Sequence, residues 1–291
     1  MGTLIAIDNH LSAPSAARLE VFDRGFLYGD SVYESLRTYA GMLFEWEEHL
    51  ARLHRSAERI ELQLPVSDGE LSARVRRTLR AASNPESQVR LIATRGAGPL
   101  SLDPGLATRG RTVVIVRPLQ ALPERFYAEG VAVAMVSLSA GERGMDPAAK
   151  TGSHLGQVLA LGRAAAQGAH EALMVDGQGN VTEGVSSNLF AVIAETVVTP
   201  PLGTVLEGVT RRRTLSLARQ AGLAVEERTL AATDLRRAGE LFITSTTREI
   251  LPVTRVDGRP VGDGRVGPIA KRLLADFRGE VATWAAARRI G

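Results

Sequence analysis

Lysine is scarce in this 291-residue chain, and its scarcity draws attention to one residue. Of the 35 basic residues, 33 are arginine and only Lys150 and Lys271 are lysine. A primary amine can lose its proton and attack a carbonyl carbon, whereas a guanidinium stays protonated. Lys271 lies beside Arg272 on a predicted surface helix, but Lys150 lies in a loop of small residues over 147–153. Lys150 is therefore the candidate nucleophile.

An acidic residue among small neighbours is the second candidate. Glu183 lies in the run 182–188, between two predicted strands. Taken alone, a carboxylate in this position is more simply a solvated part of a turn. The functional alternative is a partner for a cation held inside the protein, because a buried charge needs an opposite one.

Two further segments suit an anion. Residues 206–211 place a glycine and then a hydroxyl, Gly208 and Thr210, at the start of a predicted helix. Free N–H groups and the helix dipole favour a phosphate at such a position. Residues 244–247 are four hydroxyl side chains at the end of a predicted strand. Each segment alone is more often a cap or a turn, but together with a lone lysine they indicate a site.

The elements that position these residues follow from periodicity. Alternation over 31–39 and the apolar run 42–44 predict a hairpin, and helical spacing predicts helices over 47–61 and 67–82. The other predictions are strands over 89–94, 112–117, 131–137, 171–175, 188–194 and 241–245, and helices over 154–167, 209–220 and from 268 onward. Strands and helices mix in both halves, which predicts two domains of the α/β and α+β classes.

The predicted domains differ in size. We expect a smaller N-terminal α/β domain over 1–118 and a larger C-terminal domain over 130–291. Between them, residues 119–129 form the predicted linker, because Pro118 and Pro123 lie just before it and within it, and few of its residues follow a helical or strand pattern.

Composition excludes several classes of protein. The absence of cysteine excludes disulfides, thiolate zinc sites and a cysteine nucleophile. The five histidines lack metal-ligand spacing, so no metal is assigned. No run approaches the roughly 18 apolar residues of a membrane span, and no secretory signal begins the chain, which predicts a cytoplasmic protein. The net charge of +3 is spread over 35 basic and 32 acidic residues without a clustered patch, which argues against nucleic-acid binding.

One glycine motif is a weaker signal. Residues 262–267 match the spacing of a dinucleotide-binding fingerprint. The match follows a predicted hairpin turn at 256–259 and lies too near the C-terminus for the rest of a βαβ unit. A loop before the final helix is the better interpretation.

The candidate motifs, taken in order, resemble those of the class IV (fold type IV) aminotransferases that depend on pyridoxal 5′-phosphate (PLP). This family includes branched-chain and D-amino-acid aminotransferases and aminodeoxychorismate lyase. The resemblance runs from about residue 5 to residue 277. Its motifs are residues 23–30 with Tyr33-Glu34, 49–53, Lys150, 182–190, 206–211 and 244–253.

The resemblance implies a cofactor, PLP, and roles for the residues around it. Lys150 would form the Schiff base with PLP and later shuttle the substrate α-proton. Glu183 would keep the pyridine nitrogen protonated, so that the ring can accept electrons. The residues implied in binding the phosphate are Arg52, Val209, Thr210 and Thr246.

The resemblance also implies partners. Members of the family work as homodimers on small-molecule amino acids and 2-oxo acids, with no nucleic acid or membrane involved. The residues implied in binding substrate are Tyr28, Tyr33, Arg37, Arg95 and Thr247.

The chain departs from the family pattern in two places. Many relatives carry a tyrosine four or five residues after the lysine, where it contacts the phenolic oxygen of the cofactor. Here His154 and Leu155 occupy those positions, so either His154 binds the cofactor in place of the tyrosine or the contact is lost. D-amino-acid aminotransferases carry an Arg-x-His carboxylate trap, whose positions here are Leu100 and Leu102. The leucines favour a branched-chain specificity, although Tyr33-Glu34-Ser35 departs from the usual branched-chain Phe-Glu-Gly and 245–247 looks more like the D-amino-acid group.

Three hypotheses follow. The favoured one is a transaminase that acts on hydrophobic, above all branched-chain, amino acids with 2-oxoglutarate or another 2-oxo acid as acceptor. The second keeps the same scaffold and covers two alternatives, aminodeoxychorismate lyase and D-amino-acid aminotransferase. The third, of a different class, is a non-enzymatic or nucleic-acid-binding module.

Overall fold

The computed structural model describes residues 2–138 and 146–289. The chain divides into two compact units, of which the first includes the short segment that carries Lys150. The first unit is Met1–Gln120 with Ala149–His154, and the second is Ala121–Ala148 with Leu155–Gly291. Strands and helices mix in each unit, as expected for the fold type IV architecture.

The first unit is built on a six-stranded antiparallel sheet. Its elements are β1 (Leu4–Ile7), β2 (His10–Ser12), α1 (Arg24–Tyr28), β3 (Ser31–Tyr39), β4 (Met42–Leu43), α2 (Trp46–Arg59), α3 (Asp68–Ala82), β5 (Ser87–Thr94) and β6 (Arg111–Pro118). The strand order is β2-β1-β6-β5-β3-β4. The predicted hairpin, both predicted helices and both later strands are confirmed within a few residues.

Alternation along β3 separates its core face from its other face. Val32 and Leu36 are fully buried and share one hydrophobic core with Leu53 of α2 and Val75 of α3. Because successive strand residues point to opposite sides, Tyr33 and the other odd-numbered residues of β3 lie on the opposite face of the sheet.

The second unit contains a ten-stranded mixed sheet. Its elements are α4 (Glu124–Glu129), β7 (Val131–Ser137), α5 (Leu155–Ala165), β8 (Glu171–Val175), β9 (Asn180–Gly184), β10 (Ser187–Ile193), β11 (Thr196–Thr199), α6 (Val209–Gln220), β12 (Val225–Glu227), β13 (Leu230–Ala231), α7 (Ala232–Arg237), β14 (Glu240–Ser245), β15 (Glu249–Val256), β16 (Arg259–Pro260) and α8 (Pro268–Arg289). Pairing runs β10-β14-β15-β7-β8-β9 and returns to β10, so six strands close a ring.

The core of the second unit is densely aromatic at one point. Phe190 of β10 lies opposite Phe242 of β14, and their rings stack with centroids 5.0 Å apart. Both strands are buried over nearly their whole length, because the sheet has protein on both sides. Helix α8 packs against β15 and β14, and α6 packs against α8.

Two helices of the second unit, α4 and α7, were missed by the sequence analysis. Helix α4 lies inside the predicted linker 119–129, directly after Pro123, and it ends at Gly130 with φ 75°. A proline just before a helix is compatible with it, although it reads as a loop signal in the sequence. The domain boundaries at 118 and 130 stay a prediction, and residues 139–145 lie outside the described ones.

The final helix is amphipathic rather than uniformly apolar. Leu273, Phe277 and Val281 of α8 are buried, while charged residues lie between them. Across residues 2–138 and 146–289, no helix has both the length and the apolar character needed to cross a bilayer.

Candidate functional site

Lys150 lies on a short segment that hydrogen bonds fasten to the first unit. The Tyr33 N–H donates to the Lys150 carbonyl at 3.0 Å, and the Gly152 N–H donates to the Ser31 carbonyl at 2.9 Å. The Lys150 N–H donates to Ser56 Oγ of α2 at 3.1 Å. The segment thus runs antiparallel beside the start of β3, which fixes the position from which the lysine side chain extends.

Close backbone approach explains the small residues around this lysine. A Cβ on Gly152 would lie 2.2 Å from Ser31 Oγ. A Cβ on Gly29 would lie 3.2 Å from the Cα of Ser153, and Gly29 also has a φ of 70° that favours glycine. The small-residue loop of the sequence therefore packs closely against the backbone of the first unit. We call residues 149–154 the docking segment.

The amine of Lys150 is held by an aromatic side chain of β3. Lys150 Nζ donates to the Tyr33 hydroxyl at 3.0 Å, and the His154 ring meets the Tyr33 ring edge-on, with centroids 5.0 Å apart. The guanidinium carbon of Arg90 lies 4.5 Å from the centroid of the same tyrosine ring. We call Lys150, Tyr33 and His154 the lysine cluster. The predicted helix over 154–167 begins one residue later, at Leu155, so His154 belongs to the docking segment.

His154 is neutral at physiological pH. Burial lowers the pKa of its imidazole most, and the positive charges of Lys150 and Arg90 lower it further, to about 4. The ring therefore adds no positive charge beside the amine. It contacts Tyr33, and its role as a substitute for the family's tyrosine stays a prediction.

A buried ion cluster lies behind β3. Arg52 donates from Nε and Nη2 to the two carboxylate oxygens of Glu34, at 2.7 and 2.6 Å, and His49 Nδ1 lies 2.7 Å from Glu34 Oε2. Burial alone would raise the pKa of Glu34, but Arg52 and His49 outweigh it and lower that pKa to about 2. The bidentate pair fixes the Arg52 guanidinium, whose role as a phosphate ligand stays a prediction.

The predicted substrate residues of the first unit occupy different settings. Tyr28 is 37% exposed at the end of α1. Arg37 shares the β3 face of Tyr33 by alternation, and its guanidinium carbon lies 3.9 Å from the Tyr39 ring centroid. Arg95 donates to Asp30 at 2.8 Å and to the carbonyl oxygens of two residues after α2, so it is tightly tethered to protein groups.

The loop that carries the two leucines is held by a buried arginine. Arg24 donates to the Ser101 carbonyl at 2.7 Å and to the Leu102 carbonyl at 3.2 Å, and its Nε binds Asp30 at 2.9 Å. Leu100 and Leu102 are left 74% and 79% exposed. The loop therefore displays two leucine side chains on a fixed backbone.

In the second unit, Glu183 is held by an amide and a backbone N–H. Its Oε2 accepts from Asn188 Nδ2 at 3.2 Å and from the Leu206 N–H at 3.1 Å. Asn188 pairs with Glu183 across β9 and β10, and with Thr244 across β10 and β14. Glu183, Asn188 and Thr244 therefore form one polar row across three strands, which we call the carboxylate row.

Asn188 is the functional residue that the sequence analysis missed. Its Nδ2 also donates to the Leu206 carbonyl at 2.8 Å, and a Cβ on Gly208 would lie 2.0 Å from its Oδ1. One amide thus ties Glu183 to the backbone just before α6. The available signal was a polar pair, Ser187-Asn188, at the head of an otherwise apolar strand.

The start of α6 offers backbone N–H groups. Its N-cap, Gly208, supplies no side-chain hydrogen bond, and the first N–H groups of a helix have no partner within it. Val209 and Thr210 are buried at this end. The predicted helix over 209–220 is confirmed, and its start has the features of an anion site.

The hydroxyl cluster lies at the turn between β14 and β15. Thr246 and Thr247 are half-buried in that turn. Two hydroxyls nearby, Thr244 Oγ1 and Ser187 Oγ, are buried without a hydrogen-bond partner among the described residues. An unsatisfied buried hydroxyl is costly, so these two atoms indicate where a bound molecule would be stabilised.

Comparison with known proteins gives a consistent set of relatives. A family model described as amino-transferase class IV matches residues 31–256. A putative branched-chain-amino-acid aminotransferase of Methanocaldococcus jannaschii is 36% identical over 269 residues, which cover 92% of this chain and 93% of that protein. The D-alanine aminotransferase of Bacillus licheniformis is 32% identical over 279 residues, which cover 95% of this chain and 96% of that protein.

A solved structure agrees with these sequence relatives. The crystal structure of the T.th. branched-chain amino acid aminotransferase with pyridoxamine 5′-phosphate matches with a TM-score of 0.89 at 29% identity. The match covers 97% of this chain and 94% of that one.

Proposed function

Because the chain belongs to the class IV aminotransferase family, we propose that it moves the amino group of a hydrophobic, above all branched-chain, amino acid to a 2-oxo acid such as 2-oxoglutarate. The observation that carries the proposal is the amine of Lys150, which donates to the Tyr33 hydroxyl at 3.0 Å. The docking segment holds this amine in place without any charge from His154.

The cofactor in this proposal is PLP, which when bound supplies an aldehyde that condenses with amines and a ring that withdraws electrons from the substrate carbon. The chain has the groups that such a molecule requires. They are a primary amine, an oriented carboxylate, a helix start without a side-chain cap and the unpaired hydroxyl of Thr244.

Each side chain then has a defined task. Lys150 Nζ would hold the cofactor, and its free amine would take the proton from the substrate α-carbon. The Tyr33 hydroxyl would orient Nζ for that transfer. Glu183, held by Asn188, would bind the protonated ring nitrogen, since a carboxylate stabilises a nearby cation.

The remaining assignments divide between phosphate and substrate. The residues that would bind the phosphate, as the family resemblance implies, are Arg52, Val209, Thr210 and Thr246. The substrate would contact Tyr33, which is buried, and four half-buried or exposed side chains, Tyr28, Arg37, Arg95 and Thr247.

The displayed leucines support a hydrophobic substrate. Leu100 and Leu102 replace the arginine and histidine of the D-amino-acid carboxylate trap, and Arg24 fixes the loop that shows them. The M. jannaschii relative is named a putative branched-chain enzyme. A second candidate, D-amino-acid transamination, is favoured by the D-alanine aminotransferase relative and by the Ser-Thr-Thr run at 245–247.

A substrate panel tests the proposal. Purified holoenzyme is given both enantiomers of leucine, valine and alanine, with and without 2-oxoglutarate. We expect L-leucine and L-valine to turn over repeatedly only with the acceptor present, because without it each active site can accept a single amino group. Faster reaction of D-alanine would instead support the second candidate, and pyruvate release from aminodeoxychorismate without an acceptor would indicate the lyase.

The proposal includes a homodimer in the cytoplasm. Exposed apolar side chains such as Phe26, Leu100 and Leu102 suit burial against a second copy. Sedimentation equilibrium tests this: the expected mass is twice that of the 31.1 kDa chain, and a monomer at micromolar concentration would contradict it.

A further inference from the structure

A buried ion pair in the second unit lies between the two turns that carry proposed cofactor ligands. Glu171 of β8 is only 1% exposed, and its Oε2 bonds Arg248 Nη1. Arg248 lies in the turn between β14 and β15, directly after Thr246 and Thr247. The proposed function gives this pair no role.

Both members of the pair hold the turn between β9 and β10. Glu171 Oε1 accepts from the Ser186 N–H at 3.0 Å. Arg248 Nη2 donates to the Ser186 carbonyl at 3.1 Å and to Ser186 Oγ at 2.9 Å. Residues 184–187 connect Glu183 to Asn188, so the pair fixes the short connection between the proposed acid and the amide that orients it.

The same arginine also holds its own turn. Arg248 Nε donates to Ser245 Oγ at 3.0 Å, and the Tyr127 hydroxyl of α4 donates to the Arg248 carbonyl at 3.3 Å. Thr246 and Thr247 lie between these anchored residues. One guanidinium is thus bonded to both turns.

Local geometry leaves little freedom around the pair. A Cβ on Gly184 would lie 2.3 Å from Ser187 Oγ and 3.0 Å from Glu171 Oε1. The Arg248 side chain is 13% exposed, so its removal would leave a buried carboxylate uncompensated. It would also remove two hydrogen bonds to Ser186 and one to Ser245. The rigidity of this region therefore depends on the pair.

We propose that Glu171 and Arg248 are positioning residues that set Glu183 and the Thr246–Thr247 turn in register for the cofactor. Neither touches the reacting atoms in this account. The inference rests on the proposed function only for what the two turns bind; the claim that the pair orders them stands on the bonds of the second unit alone.

The test compares Arg248 with a second arginine that also pairs with a buried glutamate. Arg278 of α8 also donates to a buried glutamate of the second unit, Glu249, at 2.8 Å, directly after the turn between β14 and β15, but its described hydrogen bonds include none to residues 184–187. R248M and R278M are compared with wild type by amide hydrogen exchange of the cofactor-free protein. We expect exchange over 184–187 to rise at least tenfold in R248M, about 1.4 kcal/mol in opening free energy, and to stay unchanged in R278M.

Cofactor binding supplies the second readout. R248M should bind PLP about tenfold more weakly, shift the absorption maximum of the bound cofactor and lower kcat more than it raises KM. R248K keeps the positive charge beside Glu171 but loses the planar guanidinium that bonds both turns, so it should be intermediate in all three measurements. It replaces R248M if that variant fails to fold.

The outcomes separate the two claims. If wild type does not bind PLP, the proposed function is wrong. If wild type binds PLP and R248M or R248K matches R278M in exchange, affinity and spectrum, the positioning role is wrong and the proposed function is unaffected.

Discussion

The lysine cluster of the first unit and the carboxylate row of the second unit are built in different ways. Lys150 meets Tyr33 and Ser56, which are 117 and 94 residues away in sequence. Glu183 meets Asn188 only five residues away, and strand register places Thr244 in the same row. The position of Lys150 depends on the docking segment, and the position of Glu183 depends on the hairpin of β9 and β10.

This difference implies different sensitivity to substitution. A docked segment relies on a few contacts between distant residues, so changing one partner should affect the amine without unfolding the unit. A row set by register relies on the sheet, so its side chains can change while their positions persist. The following substitutions test this contrast.

The largest effect is expected from Glu183→Gln. The amide keeps the shape of the side chain but removes the negative charge that faces the ring nitrogen, and such an electrostatic contribution is worth about 10²–10³ in kcat. Steady-state kinetics should show this loss with a melting temperature close to wild type. Activity within twofold of wild type would contradict the role of the row.

A large effect on stability is expected from Glu34→Gln. The pKa of Glu34 falls from 4.5 to about 2 on folding, so the ionised pair stabilises the protein above the unfolded pKa and loses that contribution as pH falls through the folded one. The linkage amounts to roughly 3 kcal/mol at neutral pH. Urea unfolding from pH 2 to 7 should show a weaker pH dependence in the variant; an unchanged slope would contradict it.

A moderate effect is expected from Tyr33→Phe. The ring and its contact with His154 remain, but Lys150 Nζ loses its hydroxyl partner, so kcat should fall about tenfold, or 1.4 kcal/mol. KM for the amino donor separates orientation from binding. A change in KM alone would make Tyr33 only a substrate contact.

The smallest effect is expected from Arg90→Gln on His154. Burial contributes most to its lowered pKa, and Lys150 and Arg90 contribute less. Histidine signals in an NMR titration should give a midpoint of about 4 for His154 in wild type and a slightly higher one in the variant. A wild-type midpoint near 6.5 would show that the imidazole is not held in this setting.

The sequence predicted more of the local features than of the distant ones. The helix start at Val209 and the strand signals on either side of Glu183 follow from turn residues and periodicity, which are short-range signals. Lys150 was identified by residue type, but its bonds to Tyr33 and Ser56 join segments that no spacing relates. The role of Arg248 was missed for the same reason, because Glu171 and Ser186 are 77 and 62 residues away from it in sequence. Asn188 lies close to Glu183 in sequence, but its bond to the Leu206 carbonyl, 18 residues away, has no sequence signal.

Chemical trapping of the cofactor tests whether Lys150 is the lysine that binds it. Holoenzyme is reduced with borohydride and digested, and the cofactor adduct is located by mass spectrometry. The chain has only two lysines, which makes Lys271 an internal control. We expect an adduct on the peptide that contains Lys150, its loss in Lys150→Ala and its retention in Lys271→Ala. An adduct that persists in Lys150→Ala, or none in wild type saturated with PLP, would contradict this role of Lys150.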